Sequence, residues 1–158
     1  MTTLQEKELR FNFPGVIRAW HFDNERIKGN WCAVDFVVET DSHFFLIEVK
    51  GPLDDDFTNR KELEKNLFKK FRDTLVHLGI DGEMSDKDKP IRYLILIDVS
   101  KAQSNWMLNL SKNLKRPKWL GPDRGKSWKR SFGVAVLNFD QWNAPMPPTL
   151  PHWKVWRV

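Results

Sequence analysis

The sequence predicts one α/β domain, a mixed central β-sheet with flanking helices. Three observations predict it. The 158 residues are 41% apolar and 30% charged, the make-up of a globular chain able to bury a core without staples. Ile91–Val99 and Phe132–Phe139 are near-continuous apolar runs, as interior strands are. Ahead of them, hairpin-like strands are followed by one long segment of helical period, so a paired start gives way to β-α-β crossovers.

Each element follows from local pattern. Leu4–Asn12 reads as a short helix, with Leu4, Glu8 and Phe11 near one face, ended by Pro14-Gly15. Val16–Phe22 is β-rich and reads as the first strand, and the polar stretch Asp23–Asn30 as a loop. Trp31–Thr40 and His43–Lys50 read as two strands joined at Asp41-Ser42, with Gly51-Pro52 closing the second. Leu53–Thr58 contains Asp54-Asp55-Asp56 and reads as a solvated acidic loop. In Asn59–Leu78, Leu63, Leu67, Phe71, Leu75 and Leu78 form a core-facing helical stripe, and Gly79 is the expected C-cap. Lys61, Lys65, Lys69, Lys70 and Arg72 take other positions on that helix, as a solvated face does. After the polar linker Asp81–Pro90 come the strand Ile91–Val99, a helix over 101–114, a basic loop over 115–130 and the strand Phe132–Phe139. Ala144–Val158 is proline-broken, with an edge strand in HWKVWRV. The expected order is α-β-β-β-α-β-(α)-β in one domain over 1–158, with its core at about 4–100 and a proline-rich tail over 144–158.

Composition excludes several classes. Cys32 is the only cysteine, which rules out a disulfide framework and a cysteine-built zinc site, and reads as a buried small residue. His21, His43, His77 and His152 lack metal-ligand spacing. No apolar run approaches the roughly 20 residues of a membrane span, and MTTLQEKELR does not read as a secretory signal, so a cytoplasmic setting without membrane attachment is expected. The net charge of +5 is unevenly spread. Residues 1–56 hold 6 Lys/Arg against 11 Asp/Glu, and residues 57–158 hold 20 against 10. An acidic part beside a basic body suits a protein that binds a polyanion and also a cation.

A two-residue turn at Asp41-Ser42 sets the hairpin register, with Thr40 facing His43. Val34, Phe36 and Val38 then face Val49, Ile47 and Phe45, giving one wholly apolar face. On the other face Ala33 meets Lys50, Asp35 meets Glu48, Val37 meets Leu46 and Glu39 meets Phe44. A three- or five-residue loop would shift this pairing. Two carboxylates thus stand opposite each other with Cβ atoms about 4.5–5.5 Å apart, which is destabilising unless something offsets it. Lys50 on the same face could do so, as on a surface hairpin. A hard divalent cation would do it better, because Mg²⁺ takes one or two carboxylates plus waters and phosphate oxygens.

Asp35, twelve intervening residues, then Glu48-Val49-Lys50 in apolar strands resembles the signature of the PD-(D/E)XK nuclease superfamily. The element order also resembles the α-β-β-β-α-β core of that restriction endonuclease-like fold, over roughly Leu4–Ser100. Val34 stands where the superfamily usually has proline. The resemblance implies a Mg²⁺- or Mn²⁺-dependent deoxyribonuclease, with endonucleolytic cutting expected. Asp35 and Glu48 would be metal ligands, the backbone carbonyl of Val49 a third, and Lys50 the catalytic lysine. Many members add a glutamate from the first helix. Glu6-Lys7-Glu8-Leu9 resembles the start of that helix in resolvase-like members, with Glu6 preferred and Glu8 the alternative.

The segment 112–130 carries eight Lys/Arg against Asp123 alone. Lys115, Arg116, Lys118, Arg124, Lys126, Lys129 and Arg130 can neutralise phosphates, and Trp119 and Trp128 can stack on bases. The competing reading is a basic surface with both tryptophans folded inward. Gly121 to Ser127 is not a phosphate loop, having three residues between its glycines where four are needed. The expectation is a metal-dependent nuclease with DNA as partner. The alternative is a non-cleaving nucleic-acid-binding or complex-assembly subunit of the same fold. Duplex cleavage would suit a homodimer or a larger DNA-processing complex, although no residue specifies one.

Overall fold

The structure, a computed structural model, describes residues 2–23, 31–84, 89–99, 104–116, 131–144 and 152–158. In chain order the elements are β1 (Thr2–Glu6), β2 (Leu9–Phe13), β3 (Arg18–His21), β4 (Phe36–Glu39), β5 (Phe44–Lys50), α1 (Arg60–Ile80), β6 (Ile91–Ile97), α2 (Ser104–Leu114), β7 (Phe132–Asn138), α3 (Phe139–Asn143) and β8 (Lys154–Arg157). The protein is mixed α/β. Its main sheet has the order β3-β4-β5-β6-β7, and β1-β2-β8 form a second, three-stranded sheet.

The main sheet is mixed as expected. β3, β4 and β5 are antiparallel neighbours, while β5, β6 and β7 run parallel. Parallel neighbours need crossovers, and α1 and α2 supply them. Both helices lie on one face, where Leu63, Leu67, Phe71 and Leu78 of α1 and Met107, Leu110 and Leu114 of α2 bury against Val37, Leu46, Tyr93 and Ile95. The other face packs on the small sheet, through Phe11, Phe13, Phe36, Phe45, Ile47, Trp153 and Trp142. Phe13, Phe45 and Trp153 meet edge to face, with centroids 4.9 and 4.8 Å apart. The sheet that carries the site is therefore clamped between helices and a second sheet.

The hairpin register is as the turn predicted: Phe36↔Ile47, Val37↔Leu46, Val38↔Phe45 and Glu39↔Phe44. Thr40 closes the turn, donating its N–H to the His43 carbonyl at 2.9 Å and accepting from His43 N–H on its hydroxyl at 3.0 Å. α1 begins where Asn59 caps it, its side chain accepting from Glu62 N–H.

Four expectations are corrected. Leu4–Asn12 is not a helix but the β1–β2 hairpin, turning at Lys7, whose φ is 54°. Leu9, Phe11 and Phe13 alternate inward from Arg10 and Asn12, and burying three large side chains on one sheet face outweighs a weak helical preference. Over Trp31–Thr40 the strand proper is only Phe36–Glu39, because the preceding backbone bonds to α1 instead, and Val34 packs on the α1 side rather than opposite Val49. Gly79 lies inside α1 and Gly82 is the left-handed residue, at φ 68°. Gly82 N–H donates to the Gly79 carbonyl and Glu83 N–H to the Leu78 carbonyl, a Schellman ending. Cys32 is half-buried rather than buried.

Candidate functional site

Asp35 is placed by bonds from three sides. Cys32 N–H donates to the Asp73 carboxylate and Val34 N–H to the Thr74 hydroxyl, both at 3.0 Å and both acceptors on α1. Phe22 N–H, just past β3, donates to the Asp35 carbonyl at 3.0 Å. The Asp35 carboxylate accepts from Val49 N–H at 2.7 Å. A continued ladder would pair Val34 with Val49 through both backbone bonds. Here the Asp35 side chain takes the Val49 N–H, and Thr74 takes the Val34 N–H. The Val49 carbonyl, on the same strand edge as its N–H, thus lacks Val34 N–H as a ladder donor.

Glu48 lies on the helix-facing side of β5 and is only 1% exposed. Its Oε1 accepts from Lys70 Nζ of α1 at 2.7 Å, and its Oε2 has no hydrogen-bond partner among the described residues. Lys50 Nζ stands 3.7 Å from Glu48 Oε1, but its bonds go to both oxygens of Asp56, each at 3.1 Å. Asp56 also accepts from Asn66 of α1 at 3.0 Å. In the same turn Asp54 accepts from Gly51 N–H at 2.7 Å and from Lys7 Nζ at 2.6 Å.

Electrostatics follow this crowding. Burial, then the Asp35 charge, pushes Glu48 up to about 8, against the pull of Lys70 and Lys50. Burial also raises Asp35, which Lys70 and the Val49 N–H only partly offset. Glu6, at the end of β1, is pushed up to about 7 by burial and then by Asp35 and Asp23. Burial opposes the charge on Lys70, yet Glu48 and Asp35 outweigh it and hold its pKa above the ordinary lysine value. Lys70, Lys50 and Lys7 all face these carboxylates, yet burial outweighs them and holds Asp35 and Glu48 above their ordinary values.

The structure therefore brings Asp35, Glu48, Val49 and Lys50 to one place, with Glu6 close enough to feel Asp35. Glu8 is exposed, in the turn beyond Glu6. Glu6 comes from a strand rather than the expected helix. Lys115 and Arg116 are exposed just past α2, whereas Lys118, Trp119, Arg124, Lys126, Trp128, Lys129 and Arg130 lie outside the described residues.

Several site residues escaped sequence reasoning, Asp56, Lys70 and Asn66 among them. Asp56 belongs to no solvated loop: it is 7% exposed and holds Lys50. Lys70 is not on a solvated face either. It lies three residues after Leu67 and four before Thr74, on the buried stripe, and that spacing was the signal that could have found it. Asn66 carried the same signal, three residues after Leu63 and four before Lys70.

Among the described residues, no three His, Cys, Asp or Glu side chains group so as to hold a metal ion. Two buried carboxylates, one with an unpartnered oxygen, and a carbonyl released from its ladder are still the oxygen donors Mg²⁺ uses, since it fills its shell with waters and substrate phosphate. Among the described residues no helix is long and apolar enough to cross a membrane. No protein-family model, curated protein or solved structure matches the chain.

Proposed function

We propose that this protein is a Mg²⁺- or Mn²⁺-dependent nuclease that hydrolyses phosphodiester bonds in DNA, on a restriction endonuclease-like arrangement of the main sheet. The observation that carries the reading is the Glu48 carboxylate, buried beside Asp35 with one oxygen unpartnered among the described residues. Neither burial nor a like charge stabilises such a group, and a divalent cation would offset both.

Asp35 and Glu48 would hold the cation with the Val49 carbonyl, and Glu6 would close the site from β1. Bound there, the cation would supply Lewis-acid charge to the scissile phosphate and lower the pKa of the attacking water. Lys50 places a positive charge at the edge of the pair, where negative charge develops on the phosphate oxygens. Asp56 and Asn66 are positioning residues that fix that ammonium. Asp73 and Thr74 fix the backbone leading into Asp35.

The second reading, a non-cleaving nucleic-acid-binding or complex-assembly subunit, draws on one observation: Lys70 already gives Glu48 a counter-ion. Incubation with labelled duplex, branched and single-stranded DNAs, with and without Mg²⁺ or Mn²⁺, separates the two. The nuclease reading expects cation-dependent cleavage that Asp35→Ala and Glu48→Ala each abolish while remaining folded. Cleavage at the parental rate by either variant would overturn the assignment. Binding without cleavage under every cation condition would favour the second reading.

A further inference from the structure

Lys70 is the site residue that the nuclease reading leaves without a task. Its Nζ is 2.7 Å from Glu48 Oε1, and its side chain reaches in from α1 rather than from the strands that carry the acids. The two lysines beside Glu48 differ in kind. Lys50 is 8% exposed in its side chain and is gripped by both oxygens of Asp56. Lys70 is 22% exposed in its side chain and bonds Glu48 through a single oxygen. A four-carbon stem with one bond among the described residues and a partly exposed flank can swing out, and a doubly held buried one cannot without leaving Asp56 uncompensated. Glu48 meanwhile has a second oxygen with no partner among the described residues, so the ammonium satisfies half of the group.

We infer that the Lys70 ammonium is a tethered counter-ion that keeps the cation's place at Glu48, and that divalent cation binding and departure of Lys70 from Glu48 are one event. The inference rests on the nuclease reading for the identity of the cation site. It follows from charge balance. With Lys70 on Glu48, a divalent cation entering between Glu48 and Asp35 meets a positive charge within a few ångströms, a repulsion strong at low effective dielectric. Moving the ammonium outward relieves it and frees both Glu48 oxygens. The displaced ammonium then stands at the open side of the site, where its three donors suit a phosphate oxygen. Cation binding would thereby prepare a phosphate contact that the cation-free protein lacks.

Two measurements on the full chain test this. Mn²⁺ binding by calorimetry is compared for the parent, Lys70→Met, Lys70→Gln, Lys50→Met and Glu48→Gln. Lys70→Gln keeps a hydrogen-bond donor for Glu48 without the charge, and so covers the case in which Lys70→Met does not fold. Either Lys70 variant should bind Mn²⁺ at least about tenfold more tightly than the parent, roughly 1.4 kcal/mol. Glu48→Gln should bind it far more weakly. The second measurement uses the unaltered sequence: the ¹⁵N signal of the Lys70 ammonium is followed during Mg²⁺ titration. It should be visible as a hydrogen-bonded ammonium in the cation-free protein and should lose that character in step with saturation. Parental Mn²⁺ binding that Lys70 variants leave equal or weaker, or a Lys70 signal untouched at saturating Mg²⁺, would overturn the inference while leaving the metal site standing. A parent that binds no Mn²⁺, or binds it as well after Glu48→Gln, would instead overturn the metal site, and the inference with it.

Discussion

At the scale of single residues, the account turns on charge that the fold tolerates rather than favours. Glu48 is pushed from an ordinary 4.5 to about 8, so the native state holds a proton that the unfolded chain has released. Native stability should therefore fall as pH rises from about 4.5 through about 8. Glu48→Gln should remove Glu48's share of that slope, leaving the part that Glu6 and Asp35 contribute with the same sign, and its melting temperature at pH 8 should match or exceed the parent's. Each 1 kcal/mol is worth about 2–4 °C in a chain of this size, which thermal scans at pH 5 and pH 8 resolve. Parallel pH profiles for parent and variant would contradict the assignment. Lys50 behaves differently. Lys50→Met leaves Asp56 buried without its cation and should cost about 3–5 kcal/mol in denaturant unfolding. Adding Asp56→Leu should restore much of this, and the double variant is where the catalytic loss, on the order of 10²–10³, is to be read. Asp35 and Glu48 were legible in the sequence because a period-two pattern and a short turn bring them to the same end of the hairpin, although the ladder itself stops at Phe36↔Ile47 and Asp35 bonds Val49 N–H instead. Asp56 and Lys70 were not. Their roles depend on where a turn and a helix dock, and charge runs usually face solvent.

At the scale of elements, the hairpin and the long helix carry the site between them. The register of β4 on β5 was readable from Asp41-Ser42, since both faces of the hairpin had to be consistent at once. The first element was not readable. Leu4, Phe11 and the residues between fit a short helix as well as a hairpin, and the decision came from Phe11 and Phe13 packing on Phe36, which lies far off in sequence. The truncated start of β4 was equally hidden, because it depends on Asp73 and Thr74 offering side-chain acceptors to backbone N–H groups. That contact makes α1 part of the site's scaffold. Thr74→Val keeps the shape and removes the acceptor for Val34 N–H, which is buried. It should cost about 1–3 kcal/mol in unfolding and speed amide exchange at Val34. Thr74→Ser, which keeps the hydroxyl, should recover most of the loss. Exchange at Val34 as slow in Thr74→Val as in the parent would show that α1 does not hold this segment.

At the scale of the whole molecule, the acids of the site belong to the acidic residues 1–56, and the positive charge excess belongs to residues 57–158. If the basic half tracks a DNA backbone, log affinity should fall linearly with log salt, with a slope of about −0.9 per phosphate neutralised. Changing Lys126, Lys129 and Arg130 together to Ala should flatten the slope by roughly one unit per residue that contacts phosphate, as fluorescence anisotropy across a salt series would report. An unchanged slope would return that segment to an ordinary basic surface. Affinity alone does not test the chemistry, because a binding subunit would show the same slope. The central claim is that Asp35 and Glu48 are built for a divalent cation, and the most direct measurement is anomalous diffraction from a crystal soaked in Mn²⁺. The account predicts one strong peak within about 2.0–2.3 Å of oxygens from both Asp35 and Glu48, with the Val49 carbonyl in its shell. Lys70 still seated on Glu48 at saturating Mn²⁺, with no peak between the two carboxylates, would contradict it.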